Sequence, residues 1–296
     1  MQTTPIAVAE TILKNFQVLP TIPAAAAKAV QLLNENEVDL NQVADVLLAD
    51  QVITARVIRI INSPLYKLLD QVDSVKKALI YLGPQKIFEI ILTSCFLELT
   101  DNKCQDGMRL QSCWEHSFGV ALVSRSLAEQ NGSVPPEMAY VAGILHDIGE
   151  VILSQQRKED FQQVLKLAHE RELDLYQAEM EYFGASHSEV GALLAEHWRF
   201  PAPLVDVIQY HHNEDIENCS MITQIVALAD IICTDVRLTC DVEGTRYNLA
   251  GKVFGSNLLH IEQQLARMGV CDQRAFRDML GGIVEKVKVT VQTIYA

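Results

Sequence analysis

The segment Gly143-Ile144-Leu145-His146-Asp147-Ile148-Gly149 sets an imidazole and a carboxylate side by side within an apolar run. Polar groups are costly in such surroundings unless something satisfies them. Two readings are open at this pair. Both side chains can ligate a metal, or they can cap a helix end by bonding its backbone. More candidates lie along the chain. His116 stands in Trp114-Glu115-His116-Ser117 at the start of a helical pattern, and His187 in Ser186-His187-Ser188-Glu189-Val190-Gly191 opens another. His211 and His212 follow the helix expected after Pro201 and Pro203, and Asp230 ends the apolar run Ile225-Val226-Ala227-Leu228-Ala229. Singly, each has an ordinary role: a hydrogen-bonding histidine, imidazoles at a helix end complementing its dipole, or Asp230 as an N-cap. Together, five imidazoles and two carboxylates from separate helices can meet at one point, as metal sites in bundle cores do. A donor set rich in imidazole and carboxylate, without thiolate, suits a divalent transition metal: Fe, Mn, Co, Ni or Zn, as one or two ions. His169, His197 and His260 have no place in this set and read as structural or exposed.

Helices must position these groups. Ile53, Val57, Ile60 and Ile61 repeat at the spacing of one buried helical face. Ser74 reads as an N-cap, Gly83 as the residue after a helix end, and Pro84 as the opening of the next helix. Pro135, Pro136 and Glu137 make a first turn leading into a helix over 138–153. Leu280, Val284, Val287 and Val291 form another stripe. No strand alternation or hairpin signal is found. The fold class expected is all-α, a two-lobed helical bundle. Residues 1–105 form an N-terminal lobe, 106–237 a lobe carrying the candidate metal site, and 238–296 a C-terminal helical extension that packs on the rest or makes a dimer contact. The polar stretch Thr100 to Gly107 marks the first boundary, and the polar loop Thr239 to Asn248 follows the second.

The bulk properties narrow the function classes. Hydrophobic residues make up 49% of the 296, enough for a deep core and a possible homodimer face. A formal net charge of −14, with no Lys/Arg cluster, argues against nucleic-acid binding. It also requires metal ions or local cations before a phosphate-rich ligand can be held. The seven cysteines include no Cys-x-x-Cys and read as buried thiols of a reducing compartment. The stretch Met1 to Gln17 lacks a signal pattern. No uninterrupted apolar run reaches the ~18 residues of a membrane span; the nearest, 87–97, carries Glu89. The protein is expected to be cytoplasmic, with no membrane partner.

The order His116, His146-Asp147, His187, His211-His212, Asp230 resembles the HD superfamily of metal-dependent phosphohydrolases, and in detail its HD-GYP phosphodiesterases. The first lobe is more specific. Leu19-Pro20-Thr21-Ile22-Pro23, Val46-Leu47-Leu48-Ala49-Asp50, Arg59-Ile60-Ile61-Asn62-Ser63 and Ala78-Leu79-Ile80-Tyr81-Leu82-Gly83 resemble successive signatures of HDOD domains. This resemblance spans roughly residues 17–235. It implies that His116, His146, Asp147 and Asp230 are core ligands. His187, His211 and His212 would extend the site to a second metal, with Asp147 as the bridging carboxylate. If the centre is catalytic, Asp147 and His146 are its catalytic residues, and metal-activated water attacks phosphorus.

The departures from that pattern bear on activity. HD-GYP enzymes carry Lys three residues after the Asp of the pair; here Glu150 stands there. A charged carboxylate would repel a substrate phosphate, whereas a solvated helix-end residue would have no role. No Gly-Tyr-Pro segment follows His212, and Ser112 occupies a place that can carry a further carboxylate ligand, so a third metal is not expected. The leading expectation is a bacterial signal-transduction protein, regulatory or adaptor in role, with a retained metal centre and signalling proteins as partners. The alternative is an active phosphohydrolase on a nucleotide or cyclic nucleotide. In the first lobe Arg56, Arg59 and Asn62 are offered as a polar surface for partners, with ordinary helix positions as the alternative for both arginines.

Overall fold

The computed structural model describes residues 4–16, 19–33, 37–63, 72–100 and 110–235, with scattered positions between 261 and 289. Its helices are α1 (Pro5–Lys14), α2 (Ala24–Leu33), α3 (Leu40–Leu48), α4 (Gln51–Ile61), α5 (Val75–Thr100), α6 (Leu110–Asn131) and α7 (Pro136–Leu145). Then follow α8 (Ile148–Gln156), α9 (Lys158–Arg171), α10 (Leu175–Phe183), α11 (His187–His197), α12 (Ala202–Tyr210) and α13 (Met221–Asp235). No strand occurs among the described residues, and the all-α reading holds.

Local signals set the boundaries. Asp39 caps α3 through the Asn41 N–H at 2.9 Å, and Asp50 caps α4 through the Val52 N–H at 2.9 Å, each satisfying a donor that the first turn leaves open. Ser74 accepts from the Lys77 N–H at 3.2 Å, and the chain kinks at Gly83 with φ 76° before Pro84, both as expected. The helix expected over 138–153 is instead two, α7 and α8, broken at His146 and Asp147. Of the C-terminal stripe, Val287 is buried and Leu280 half-buried; Val284 and Val291 lie outside the described residues.

The N-terminal helices α2, α3 and α4 pack around α5, which also contacts α6, α7 and α8. Helix α1 reaches over to α11, and the Trp198 indole N–H donates to the Pro20 carbonyl at 3.1 Å. One apolar core runs through all these elements. Val75–Leu99 is long and apolar enough for a membrane span by composition, but it is largely buried and holds Glu89 at 0% exposure. Cys95, Cys113 and Cys233 are buried thiols and Cys219 is half-buried; Cys104, Cys240 and Cys271 lie outside the described residues.

The polar surface expected of the first lobe is mostly used internally. The Asn62 amide donates to the Ile58 and Val72 carbonyls and accepts the Val72 N–H at 2.8 Å, clamping the chain on both sides of 64–71. Arg56 pairs with Glu98 at 2.7 Å. Arg59 alone of the three stays exposed.

Candidate metal centre

Five helices and the break between α7 and α8 carry the site. His116 lies in the second turn of α6, not at its start, and His146 caps the end of α7. Asp147 sits at the break before α8. His187 opens α11 behind the Ser186–Glu189 capping box. His211 follows the last turn of α12, with His212 next to it. Asp230 lies inside α13, which runs on to Asp235, so it is not an N-cap.

All seven converge. Asp147 Oδ2 lies 3.0 Å from His146 Nε2 and 3.5 Å from His116 Nε2. Its Oδ1 lies 3.3 Å from His211 Nε2 and 3.5 Å from His187 Nε2. Asp230 Oδ1 closes the first set at 3.1 Å from His116 Nε2. The His212 ring completes the second, with its centroid 4.1 Å from that of His211. The donor atoms of Asp147, His187, His211 and His212 lie within 4.8 Å of one another, as do those of His116, His146 and Asp147. Asp147 therefore turns one carboxylate oxygen to each set.

The ring nitrogens decide what such a cluster can do. His146 Nδ1–H donates to the Gly143 carbonyl at 2.8 Å, His211 Nδ1–H to the Ile208 carbonyl at 2.9 Å, and His187 Nδ1–H to Glu179 Oε2 at 2.6 Å. With Nδ1 spent on these acceptors, each ring turns Nε2 inward. The Nε2 atoms of His146, His187 and His211 and Oδ1 of Asp147 are buried with no hydrogen-bond partner, though they stand close together. Buried polar atoms crowded around a common point without hydrogen-bond partners are costly. A cation removes that cost, and rings held at Nδ1 with Nε2 pointing inward are how metal-ligating histidines are arranged. The donor set fits a divalent metal.

The electrostatics agree. Burial alone would raise the Asp147 carboxyl, but His146, His211 and His187 hold it well below the usual carboxylate range. Asp230 is likewise held low against its burial, chiefly by His116. His211 is lowered by burial, and His212 well below its ordinary value by burial and the neighbouring His211 and His187. His187 goes the other way: burial opposes it, but Glu179 raises it to about 10.

Glu150 is not a solvated helix-end residue. It is 7% exposed, and burial together with Asp147 raises its carboxyl to about 8. A neutral acid at neutral pH replaces the repelling carboxylate expected from the sequence. Glu179 is a residue the sequence reading missed; its one signal is a core-facing position beside Ala178, between exposed Gln177 and Glu181. His169 and His197 are exposed, as expected. His260 and the Ser112 side chain lie outside the described residues.

The HDOD domain family model matches residues 19–214. The chain belongs to the HDOD family. An HDOD domain protein of unknown function from Geobacter sulfurreducens is 32% identical with a TM-score of 0.72, over 95% of this chain and 98% of that one. A Shewanella amazonensis protein, named only provisionally as a phosphohydrolase, is 26% identical with a TM-score of 0.70, over 97% and 96%. Ribonuclease Y of Latilactobacillus sakei is 31% identical over 154 residues, 51% of this chain and 24% of its own. The HDOD chain spans less than half the length of the curated relatives it matches.

Proposed function

We propose that this HDOD protein is a signal-transduction module built around a divalent-metal centre, with its output passed to partner proteins. The observation that carries the metal is the inward convergence of buried, unpartnered Nε2 atoms on Asp147. His116, His146 and Asp230 would hold one ion and His187, His211 and His212 a second, with Asp147 shared between them. When bound, such ions supply Lewis acidity toward a phosphoryl group. The chain's own residues orient the rings through Gly143, Ile208 and Glu179. Beside Asp147, Glu150 supplies none of the positive charge that Lys would bring to a phosphate. That difference favours a regulatory role. An output through proteins is supported by Ile80 and Tyr81 on α5, each 78% exposed. The test is metal content of untagged protein beside a His146→Ala/Asp147→Ala variant. One or two ions per chain, lost in the variant, are expected; a wild type that cannot be loaded sinks the reading.

The second reading is a working phosphohydrolase on a nucleotide, a cyclic nucleotide or another phosphodiester. It is favoured by the full ligand set and by the match to ribonucleases Y. The assay is turnover of a nucleotide panel, a short RNA and a generic phosphodiester by Mn- or Fe-loaded protein. Turnover abolished by Asp147→Ala establishes this reading, and its absence leaves the regulatory one.

A further inference from the structure

The three inward-facing rings are not held alike. His146 and His211 each donate Nδ1–H to a carbonyl three residues earlier, Gly143 and Ile208. A ring at a helix end finds such a carbonyl in the turn below it. His187 has none, because it is the first residue of α11 and no helical turn precedes it. Its acceptor has to come from another element.

Glu179 on α10 provides it. The side chain is 0% exposed. Its Oε2 accepts twice from one residue: the His187 backbone N–H at 2.8 Å and the ring Nδ1–H at 2.6 Å. The backbone donor is one the start of α11 would otherwise leave open. The other oxygen, Oε1, is buried with no hydrogen-bond partner. A buried carboxylate is kept only where it is compensated, and every hydrogen bond described for this one goes to His187. The far side of the ring, Nε2, stands 3.5 Å from Asp147 Oδ1.

We propose that Glu179 is the positioning carboxylate of this centre: it fixes which nitrogen of His187 faces Asp147 and so presents Nε2 to the set formed with His211 and His212. It touches none of the reacting atoms and acts through His187. The inference rests on the metal reading above and adds to it a residue outside the ligand pattern.

The experiment strips the full chain of metal, labels its histidines with nitrogen-15 and titrates it with Zn²⁺. The Nδ1–H of His187 is followed by NMR before and after loading. In Glu179→Ala, Zn²⁺ affinity is expected to fall about 10- to 100-fold at one of the two sites only, and the His187 ring N–H signal is expected to vanish. Glu179→Gln keeps an oxygen acceptor, so it should retain the signal and weaken only several-fold. Wild-type affinity in a folded Glu179→Ala protein, equal loss at both sites, or a persisting ring N–H overturns the proposal. Should Glu179→Ala not fold, unchanged affinity in Glu179→Gln overturns it. If the wild type takes no Zn²⁺, the metal reading fails; the ring signal in metal-free protein still decides whether Glu179 orients His187.

Discussion

Gly149 is packed so tightly on His187 that a methyl group placed on its Cα would lie 1.9 Å from the His187 carbonyl oxygen and 2.8 Å from the Gly191 nitrogen. The start of α8 and the start of α11 thus meet backbone to backbone. Asp147 stands two residues before this contact and His187 within it. Only glycine allows the approach that brings Oδ1 of Asp147 to the second histidine set.

Gly149→Ala should therefore cost stability and metal together. Neither backbone can yield as a side chain would, so a loss of about 3 kcal/mol is expected. Zn²⁺ binding should weaken more at the His187 set than at the His116 set. Gly282→Ala is the control, since nothing lies within 4 Å of the added carbon, and it should be neutral or stabilising. Urea unfolding and Zn²⁺ titration of both variants decide it. A Gly149→Ala protein as stable as wild type would show that α8 and α11 are not locked here.

Among the described residues, Asp147 alone belongs to both sets. Asp147→Ala should strip both ions, whereas His116→Ala should spare the ion held by His187, His211 and His212. Metal analysis by mass spectrometry distinguishes these outcomes. Equal loss in the two variants would mean a single shared ion.

The metal-free protein should lose stability as pH rises. His187 is raised to about 10 when folded, chiefly by Glu179 against burial, from an ordinary 6.5. The folded state then binds the extra proton, so the contribution is whole below pH 6.5 and is lost as pH climbs toward 10. Glu150 acts in the same direction. Burial raises it from 4.5 to about 8, so stability falls as the unfolded chain ionises and the folded one does not. Asp147 and Asp230, held low, matter only as pH drops below the ordinary carboxylate range. Below pH 6.5 His211 and His212, lowered when folded, act in the opposite sense, so the decline in melting temperature is expected between pH 7 and 9. Glu150→Gln should flatten the part below pH 8. A melting temperature that rises over this window would refute the assignment of both groups.

The seven ligand candidates were legible because histidine and aspartate are conspicuous inside apolar helices. The two-sided role of Asp147 was not, since nothing in a sequence says which carboxylate oxygen faces which ring. Asp230 read as the end of a run because Ile225 to Ala229 are apolar; its helix continues, and the carboxylate lies half-buried against His116 and His146 instead. Glu150 read as charged or solvated, since its neutral state depends on burial contributed by the surrounding fold. Glu179 was invisible for a further reason. Its meaning comes from His187 lacking a turn beneath it, and that emerges only once α10 is seen against the start of α11. The motif residues Asp50, Asn62 and Gly83 proved structural, as a cap, a clamp and a kink.

A second buried charge offers a test away from the metal. Glu89, which interrupts the apolar face of α5, is fully buried. Arg125 of α6 reaches its Oε2 at 2.5 Å and Lys86 reaches the same oxygen at 3.0 Å. The Arg125 guanidinium also lies 4.0 Å from the centre of the Tyr140 ring on α7, a stacking that Lys could not reproduce. One arginine thus ties α5, α6 and α7 together. Arg125→Met should cost about 3–5 kcal/mol, because a buried carboxylate loses its principal cation. Adding Glu89→Met should recover much of that, since two apolar groups replace the pair without a stranded charge. A double-mutant cycle in urea measures the coupling. If the two losses simply add, Lys86 alone satisfies Glu89 and Arg125 serves mainly to cover Tyr140.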